Sequence, residues 1–375
     1  MKYPMESSNA RKPPGETGSP KTESLPPKRI DVSWNPRTRL LLSCVTCDLY
    51  ISINSHAHTP THYIYNYVYL DHLYVAYACP WAQRALIVRT LKGLEDVITV
   101  TVVYPIWQKT SDDPLDEHHG WVFGDSENNS GKPLVNTIGL GGPFPTAYPG
   151  NDPDSILGAK TIRELYEKVN DTDGKYTVPI IWDKKLNTIV SNESSEIIRM
   201  LNSEFNEFAK NPNLDLYPNN NIQQIEDAND WIYPNINNGV YRCGFANTQP
   251  AYDAAIDDLT KAFDKLESIL KKQRFVAGNT MTLADVRLFV TLLRFDEVYA
   301  VYFKTNTRSV AHTPTVLNYC RDIYQMPGVA ETVNMEQIKL HYYASHPNLN
   351  RWSIVPRGSN FESLLKEPHH RENMM

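Results

Sequence analysis

The cysteine at position 79 stands where a thiol can act as a nucleophile. It follows the apolar run "LYVAY" and directly precedes Pro80 and a helical pattern. Proline at the first helical position places Cys79 at the N-cap, where free backbone N–H groups and the positive end of the helix dipole favour a thiolate. We therefore predict a reactive Cys79 whose pKa lies below its ordinary value. A buried, inert cysteine is the alternative.

Ala82 occupies the position at which a second cysteine would complete a Cys-x-x-Cys motif. The sequence around Cys79 therefore supplies no resolving thiol. A disulfide formed at Cys79 has to be resolved by an external thiol, and glutathione is the abundant cytosolic candidate.

Two later motifs suit a small peptide ligand. Thr177–Pro179 begins a predicted strand, and a cis proline there would turn the Val178 backbone N–H and C=O outward to pair with an extended peptide. The stretch "SNESSE" opens a predicted helix, where Ser194 and free N–H groups could bind a ligand carboxylate and Glu193 a ligand ammonium. The γ-glutamyl end of glutathione carries both groups. An ordinary edge proline and simple helix capping are the alternatives.

Each of these residues needs an element to position it. Residues 73–103 predict a buried strand, a helix that begins at Pro80 and ends near Gly93, and a second strand parallel to the first. Further elements are predicted as a helix over 159–169, two strands over 176–183 and 186–191, and a helix over 193–205. The order βαβ–α–ββ–α is that of the thioredoxin fold.

The chain has 375 residues, of which 41% are hydrophobic, and this suffices for two domains. We predict an α/β thioredoxin-like N-terminal domain and an all-α C-terminal domain. The bounds are 1–70 for a variable, disordered extension, 71–208 for the thioredoxin-like domain, 221–345 for the helical domain and 346–375 for a polar tail. The long Pro- and Gly-rich stretch 104–154 is expected to be functional or partly disordered.

The helical domain shows clear periodicity. Helices are predicted over 222–237, 252–273, 283–302, 316–324 and 331–343. Thr282 and Asp285 form a predicted capping box, which is a folding signal and not a site.

The net charge and the number of cysteines indicate which partners and which compartment to expect. A net charge of −6 without a long basic run argues against nucleic acid and anionic membranes as main partners. Five sparse cysteines and an N-terminus without a signal-peptide core predict a soluble cytoplasmic protein. Cys44-x-x-Cys47 and nearby histidines could suggest zinc, but no second cysteine pair frames them, and we predict no metal.

Longer phrases carry a family resemblance. The stretches "LYVAYACPWAQRALIVRTLKGL", "GWVF", "TVPIIWDKKLNTIVSNESSEIIRMLN", "NNGVYRCGFA" and "IKLHYYASH" resemble the Xi class of glutathione transferases. These are the S-glutathionyl-hydroquinone reductases, also described as omega-like transferases. The resemblance runs from about His72 to His346. It implies the glutathione transferase fold, glutathione as co-substrate, aromatic glutathione conjugates as partners and a homodimer.

The resemblance also implies roles for particular residues. Cys79 corresponds to the nucleophile and Tyr241 to the proton donor and acceptor. Tyr299 and Tyr342 correspond to tyrosines near the thiolate that help to lower its pKa. The residues that would bind glutathione are Trp121, which packs on it; Lys175, Tyr176, Thr177 and Val178, which pair with its backbone; and Glu193 and Ser194, which hold its γ-glutamyl end.

The sequence departs from the family at three places. Gln83 stands where the family has His. Lys175 stands where a bacterial relative has Arg, so a bidentate grip becomes a point charge. Residues 38–70 differ from the usual lead-in and are expected to be a lineage-specific insertion or translated non-coding sequence.

The activity implied by the resemblance is glutathione-dependent reduction. The Cys79 thiolate attacks the sulfur of a glutathionyl-hydroquinone, hydroquinone leaves, and a second glutathione releases glutathione disulfide. The alternative is a broader omega-like activity, such as thiol transfer, deglutathionylation or dehydroascorbate reduction. Disulfide exchange does not need Tyr241, so the role of Tyr241 distinguishes the hydroquinone reductase from the broader omega-like activity. A non-catalytic scaffold with this fold is a third possibility.

Overall fold

The computed structural model describes residues 71–124, 134–171 and 173–374. The predictions for residues 1–70, including Cys44 and Cys47, lie outside the described residues. Residues 125–133 of the predicted long loop lie outside them as well.

A four-stranded mixed sheet forms the base of the first domain. Strand β1 (Asp71–Val75) pairs in parallel with β2 (Thr99–Val102), which confirms the predicted βαβ unit. The short strands β3 (Gln108–Lys109) and β4 (His119–Gly120) form a separate hairpin that the sequence did not predict. Strands β5 (Ile180–Asp183) and β6 (Thr188–Ser191) complete the sheet, whose order is β2-β1-β5-β6 with antiparallel pairing at β5.

Helix α1 (Pro80–Lys92) begins directly after Cys79, as predicted. It ends at Gly93, whose left-handed φ of 66° allows its N–H to close the last turn on Arg89 O and Thr90 O. The sequence predicted one buried face, yet most of the helix is buried, because it packs against the helices over Ser194–Ser203 and Leu283–Arg294. Its polar side chains Gln83 and Arg84 therefore need hydrogen-bond partners inside the protein.

Two more helices complete the first domain. Helix α2 (Ile162–Lys168) is capped by the Thr161 side chain, which accepts from Glu164 N. Helix α3 (Ser194–Ser203) begins one residue later than predicted, so Glu193 is the N-cap and does not lie in the first turn.

The second half of the described chain is helical, as predicted. Its helices are α4 (Ile222–Ile232), α5 (Gly239–Gly244), α6 (Gln249–Leu270), α7 (Leu283–Arg294), α8 (Ala300–Tyr302), α9 (Pro314–Tyr324), α10 (Met335–Ser345) and α11 (Phe361–Leu365). The predicted capping box of Thr282 and Asp285 is present, with Thr282 N donating to Asp285 Oδ2 at 2.9 Å. Within the described ranges, no helix combines the length and the apolar character needed to cross a bilayer.

Two predicted helices are interrupted by wider turns. Tyr233–Asn237 continues α4 as a π-helix, and Phe295–Tyr299 joins α7 to α8 in the same way. Such π-turns are often found at functional sites. Here the second one carries Tyr299.

The chain after α10 packs back onto the helical domain. Phe361 and Leu365 are fully buried, and Arg371 donates to the carbonyls of Gln273 and Arg274, which follow the end of α6. The sequence indicated only a polar tail, because these few anchoring residues show no periodicity. The domain bounds given above stay a prediction.

Candidate active site

Cys79 lies in the turn between β1 and α1. Its N–H donates to Ala76 O at 3.1 Å, and its carbonyl accepts from Gln83 N at 3.0 Å. Its Sγ donates to Val178 O at 3.5 Å, so the thiol lies beside the cis Val178–Pro179 peptide. Cys79 is partly exposed, whereas Cys243 and Cys320 are buried. Of the cysteines described, Cys79 is therefore the one that a substrate can reach.

The structure corrects the predicted pKa of Cys79. Burial raises the pKa of the thiol, and this effect exceeds the opposing influence of the Ala82 and Trp81 backbone N–H groups and of the Arg294 and Arg84 charges. The sequence argument included the helix terminus but omitted desolvation, which depends on packing by distant residues.

Three tyrosine side chains meet next to Cys79. Tyr342 Oη lies 2.6 Å from Tyr241 Oη and 3.0 Å from Tyr299 Oη. Tyr241 comes from α5, Tyr299 from the second π-turn and Tyr342 from α10. The charge of a Cys79 thiolate acts on both Tyr241 and Tyr299, so the cluster faces the thiol.

The three phenols of this tyrosine cluster are protonated. Burial raises the pKa of all three phenols, and the mutual proximity of their charges adds to this for Tyr241 and Tyr342. All three are therefore neutral at physiological pH. Three O–H groups share two mutual hydrogen bonds, so one O–H is left to donate to a ligand or to the thiolate.

Close packing fixes the position of the cluster. Tyr299 stacks on Phe303 with ring centroids 5.4 Å apart, and Tyr241 lies 5.3 Å from the same ring. Helix α5 approaches Phe303 closely at Gly244, where an added Cβ would lie 2.2 Å from Phe303 Cδ1. A glycine at this position is therefore needed for the observed approach.

Aromatic side chains, two of them half-exposed, lie next to the tyrosine cluster, where Trp81 and Phe245 stack on Tyr241. Tyr233 and Phe245 expose about half of their surfaces, at 49% and 52%. Trp81 lies 6.0 Å from Tyr233, and Phe245 lies 5.9 Å from His346, measured between ring centroids. Exposed aromatic rings of this kind suit a planar apolar ligand.

Trp121 is held by a stacked histidine. The rings of Trp121 and His341 lie 4.5 Å apart and 24° from parallel, and Trp107 meets Trp121 edge-on at 5.9 Å. His341 Nδ1 donates to Pro105 O at 2.9 Å, and burial lowers its pKa well below the ordinary value. The neutral imidazole therefore keeps Nε2 as an acceptor.

The segment 175–178 leads to the start of β5. Thr177 O accepts from Tyr166 Oη at 2.9 Å, and Tyr176 packs edge-on against His118 at 5.0 Å. Val178 is buried, whereas Lys175 and Thr177 are exposed. Of this segment, Val178 meets Cys79, because its carbonyl accepts from the Cys79 thiol.

The start of α3 brings Glu193 and Ser194 to the same region. Glu193 Oε1 accepts from Ser195 N and Ser195 Oγ, both at 3.1 Å, so the carboxylate caps its own helix. Ser194 Oγ accepts from Arg84 Nη1 at 3.4 Å, which leaves the Ser194 O–H able to donate elsewhere.

Arg84 is a site residue that the sequence reasoning missed. It is 1% exposed, its guanidinium lies 4.2 Å from the Trp81 ring centroid, and its Nε has no partner among the described residues. Burial lowers its pKa to about 9. The available signal was a charged residue among the small and apolar residues Ala82, Ala85 and Leu86 in the first half of the helix.

The fold and the site define a glutathione transferase with a cysteine at the N-cap of its first helix. Residues 78–204 match the model of the glutathione S-transferase N-terminal domain, and residues 249–353 match that of the C-terminal domain. The predicted fold class is therefore confirmed.

Two relatives identify the class of glutathione transferase to which the chain is similar. Glutathionyl-hydroquinone reductase YqjG of Escherichia coli is 41% identical over 302 residues, covering 80% of this chain and 82% of the relative. Glutathione S-transferase omega-like 2 of Schizosaccharomyces pombe is 39% identical, covering 76% and 84%.

Solved structures agree with these relatives. The glutathione-bound structure of YqjG has a TM-score of 0.70 at 40% identity and covers 81% of this chain and 89% of its own. A Xi-class transferase from Natrialba magadii has a TM-score of 0.71 at 39% identity, with coverage of 85% and 86%. The chain belongs to the Xi class of glutathione transferases, the family of the glutathionyl-hydroquinone reductases.

Proposed function

We propose that this protein is a glutathione-dependent reductase that removes glutathione from S-glutathionyl-hydroquinones. The observation that carries the proposal is the neutral tyrosine cluster beside a thiol. An acid is needed to release a carbon leaving group, and the half-exposed rings of Tyr233 and Phe245 suit contact with the hydroquinone ring. The names of two relatives, YqjG and PcpF, describe this activity in those proteins.

The first step transfers the glutathionyl group to Cys79. The substrate ring reacts as the keto tautomer protonated at the carbon that carries sulfur. The Cys79 thiolate attacks that sulfur, the carbon–sulfur bond breaks, and its electrons pass into the ring to form a phenolate. Tyr241 transfers the proton at this carbon, Tyr299 and Tyr342 hydrogen-bond to the ring oxygens, and the phenolate takes up a proton from water as hydroquinone leaves.

The second step restores the thiolate. A second glutathione thiolate attacks the glutathionyl sulfur of the mixed disulfide, and glutathione disulfide leaves Cys79. In both steps glutathione lies on Trp121, its backbone pairs with residues 175–178, and Glu193 and Ser194 hold its γ-glutamyl end.

Three substrates test this proposal on the purified protein. Release of hydroquinone from glutathionyl-hydroquinone is measured beside turnover of hydroxyethyl disulfide and of dehydroascorbate. We expect efficient release of hydroquinone and its loss in Cys79→Ser. Full activity of Cys79→Ser, or turnover of the other two substrates alone, would contradict the proposal.

A broader omega-like activity is the second candidate. It is favoured by the omega-like relatives that match most of the chain. The same Cys79 would serve it, and the disulfide and dehydroascorbate assays measure it directly.

Assembly and location belong to the same proposal. We expect a metal-free homodimer in the cytoplasm. Light scattering on an eluting gel-filtration peak measures the mass, and a monomeric mass at micromolar concentration would exclude the dimer.

A further inference from the structure

Arg294, the last residue of α7, reaches from the helical domain to the turn that carries Cys79. Its Nη2 donates to Tyr77 O at 2.9 Å and its Nε to Ala78 O at 3.2 Å. These are the two carbonyl groups that directly precede Cys79 in the chain. The guanidinium therefore holds the backbone from which the thiol projects.

The Arg294 charge is buried without a carboxylate partner. Its side chain is 0% exposed, and its Nη1 donates to Val290 O at 2.7 Å and to Gln83 Oε1 at 2.5 Å. All of its hydrogen-bond acceptors among the described residues are neutral. A buried cation that is unpaired in this way has a strong attraction for any anion that forms nearby.

Gln83 keeps the environment of Arg294 neutral. Its amide oxygen accepts from Arg294, while its Nε2 donates to Thr332 O at 3.3 Å. An amide does not titrate, so the charge of Arg294 is not balanced from this side at any pH. The sequence resemblance had marked Gln83 only as a departure from the family.

Several other ionisable groups face Cys79. The Arg84 charge, on α1, also favours the thiolate, whereas Tyr241 and Tyr299 face the thiol as neutral phenols. The Arg294 charge acts on Cys79 and also on Tyr299, Tyr342 and His341, always in the direction that favours an anion or disfavours a cation.

We propose that Arg294 is a positioning residue whose unpaired buried charge stabilises the thiolate of Cys79, and that neutral Gln83 preserves this charge. The proposal rests on Cys79 as the nucleophile of the proposed function. It does not depend on the identity of the substrate, because it concerns the thiol itself. A purely structural Arg294 would hold the turn without affecting the ionisation of Cys79.

The test measures alkylation of Cys79 by iodoacetamide against pH, read from the modified peptide by mass spectrometry. We expect Arg294→Gln to move the inflection upward and to lower the rate at pH 7 about tenfold, since one pKa unit is a factor of ten. The plateau at high pH should not change. Arg294→Lys keeps the charge and should keep the inflection of the wild-type protein.

Gln83→Glu is the second variant, because Arg294→Gln leaves two buried carbonyls without a donor and could fail to fold. A carboxylate at position 83 would pair with Arg294 and cancel its charge while both side chains stay in place. We expect the same upward shift of the inflection. Circular dichroism establishes that each variant is folded.

Arg89 provides the matched control. It lies on α1, close to Cys79 in the chain, and like Arg294 it donates to two backbone carbonyls, Ile98 O at 2.7 Å and Glu95 O at 3.2 Å. Arg89→Gln should leave the inflection where it is. If the folded Arg294→Gln variant, or Gln83→Glu in its place, also keeps the wild-type inflection, the proposal is wrong. Because alkylation needs no hydroquinone, this failure is distinguishable from failure of the reductase assay.

Discussion

The two sides of the Cys79 thiol are built differently. On one side lie exposed backbone and helix-cap groups, at Lys175, Thr177 and Glu193. On the other lies a fully buried polar network that contains Tyr299 and Arg294. The first side belongs to the thioredoxin-like unit and the second to the helical half.

This difference indicates that the exposed side binds the ligand and the buried side acts on the reacting groups. Exposed caps and strand edges can bind a peptide and release it, because water replaces the ligand at little cost. Buried phenols and a buried guanidinium keep a fixed geometry and act more strongly on charge, because no water screens them. We therefore expect changes on the exposed side to affect glutathione binding and changes on the buried side to affect the chemical steps.

The largest effect is expected from Tyr241→Phe. The variant keeps the ring and its packing but removes the hydroxyl that bonds to Tyr342. A positioned acid contributes about 10²–10⁴-fold where a proton moves in the transition state. We predict a loss of this size in hydroquinone release, with near-normal turnover of hydroxyethyl disulfide, because a disulfide releases a stable thiolate.

Tyr252→Phe is the control for this prediction. Its hydroxyl donates to Lys304 O, away from the cluster, and its loss should change neither activity. Equal losses on both substrates in Tyr241→Phe would mean that Tyr241 only tunes Cys79 or the pocket. No loss on either would remove it from the mechanism.

The pH dependence of Cys79 alkylation is expected to show the next largest effect. Burial raises the pKa of the thiol, so the reactive thiolate is depleted at neutral pH and increases as the pH rises. The alkylation rate of the ligand-free protein should therefore lie well below its high-pH plateau at pH 7 and increase as the pH is raised.

An inflection below pH 7 would reverse this conclusion. It would show that Arg294, Arg84 and the N-terminus of α1 together outweigh burial. Cys243 must be excluded as the reacting thiol. Burial raises its pKa to about 11, and the profile should be the same in Cys243→Ala.

On the exposed side, Glu193→Ala should weaken the binding of glutathione. A charge-assisted hydrogen bond contributes about 1.5–3 kcal/mol, so the KM for glutathione should rise about tenfold or more. The alkylation rate of Cys79 should stay unchanged. Glu196→Ala, which removes a carboxylate from the first turn of the same helix, is the control and should not change KM.

An unchanged KM in Glu193→Ala would leave Glu193 as a cap of α3 alone. That outcome is a real alternative, since its carboxylate already accepts from Ser195 N. Glu193→Gln distinguishes the two roles, because an amide oxygen can still cap the helix but cannot hold an ammonium by charge.

The features that could be predicted from the sequence are those formed by residues close together in the chain. The βαβ unit, the position of Cys79 before Pro80 and the capping box at Thr282 are set by residues close in the chain, and all were predicted. The Cys79 pKa was predicted in the wrong direction, since desolvation comes from elements far away in sequence. Arg294 lies 217 positions along the chain from Tyr77, whose carbonyl it binds, so this contact cannot be read from local sequence.

Other parts of the site were accessible only through the resemblance. Nothing in the periodicity of "NNGVYRCGFA" predicts the short helix α5 or marks Tyr241. The π-turn that carries Tyr299 has the same apolar pattern as the helix it interrupts, so it was predicted as a continuous helix. Contacts among three hydroxyls from three separate elements follow from tertiary packing alone.

The smallest effect is expected from Ser194→Ala. Its hydroxyl accepts from Arg84 Nη1 and can donate to a ligand carboxylate, and a neutral hydrogen bond of this kind contributes about 0.5–1.5 kcal/mol. The KM for glutathione should rise a few-fold, with kcat for hydroquinone release and the alkylation profile of Cys79 unchanged. Ser195→Ala removes the neighbouring hydroxyl, which bonds to Glu193, and should leave KM within twofold if only Ser194 contacts the ligand. A fall in kcat for Ser194→Ala without a change in KM would contradict this prediction. It would mean that losing the hydrogen bond to Arg84 disturbs the buried side of the site, so that Ser194 affects the chemical steps and not only binding.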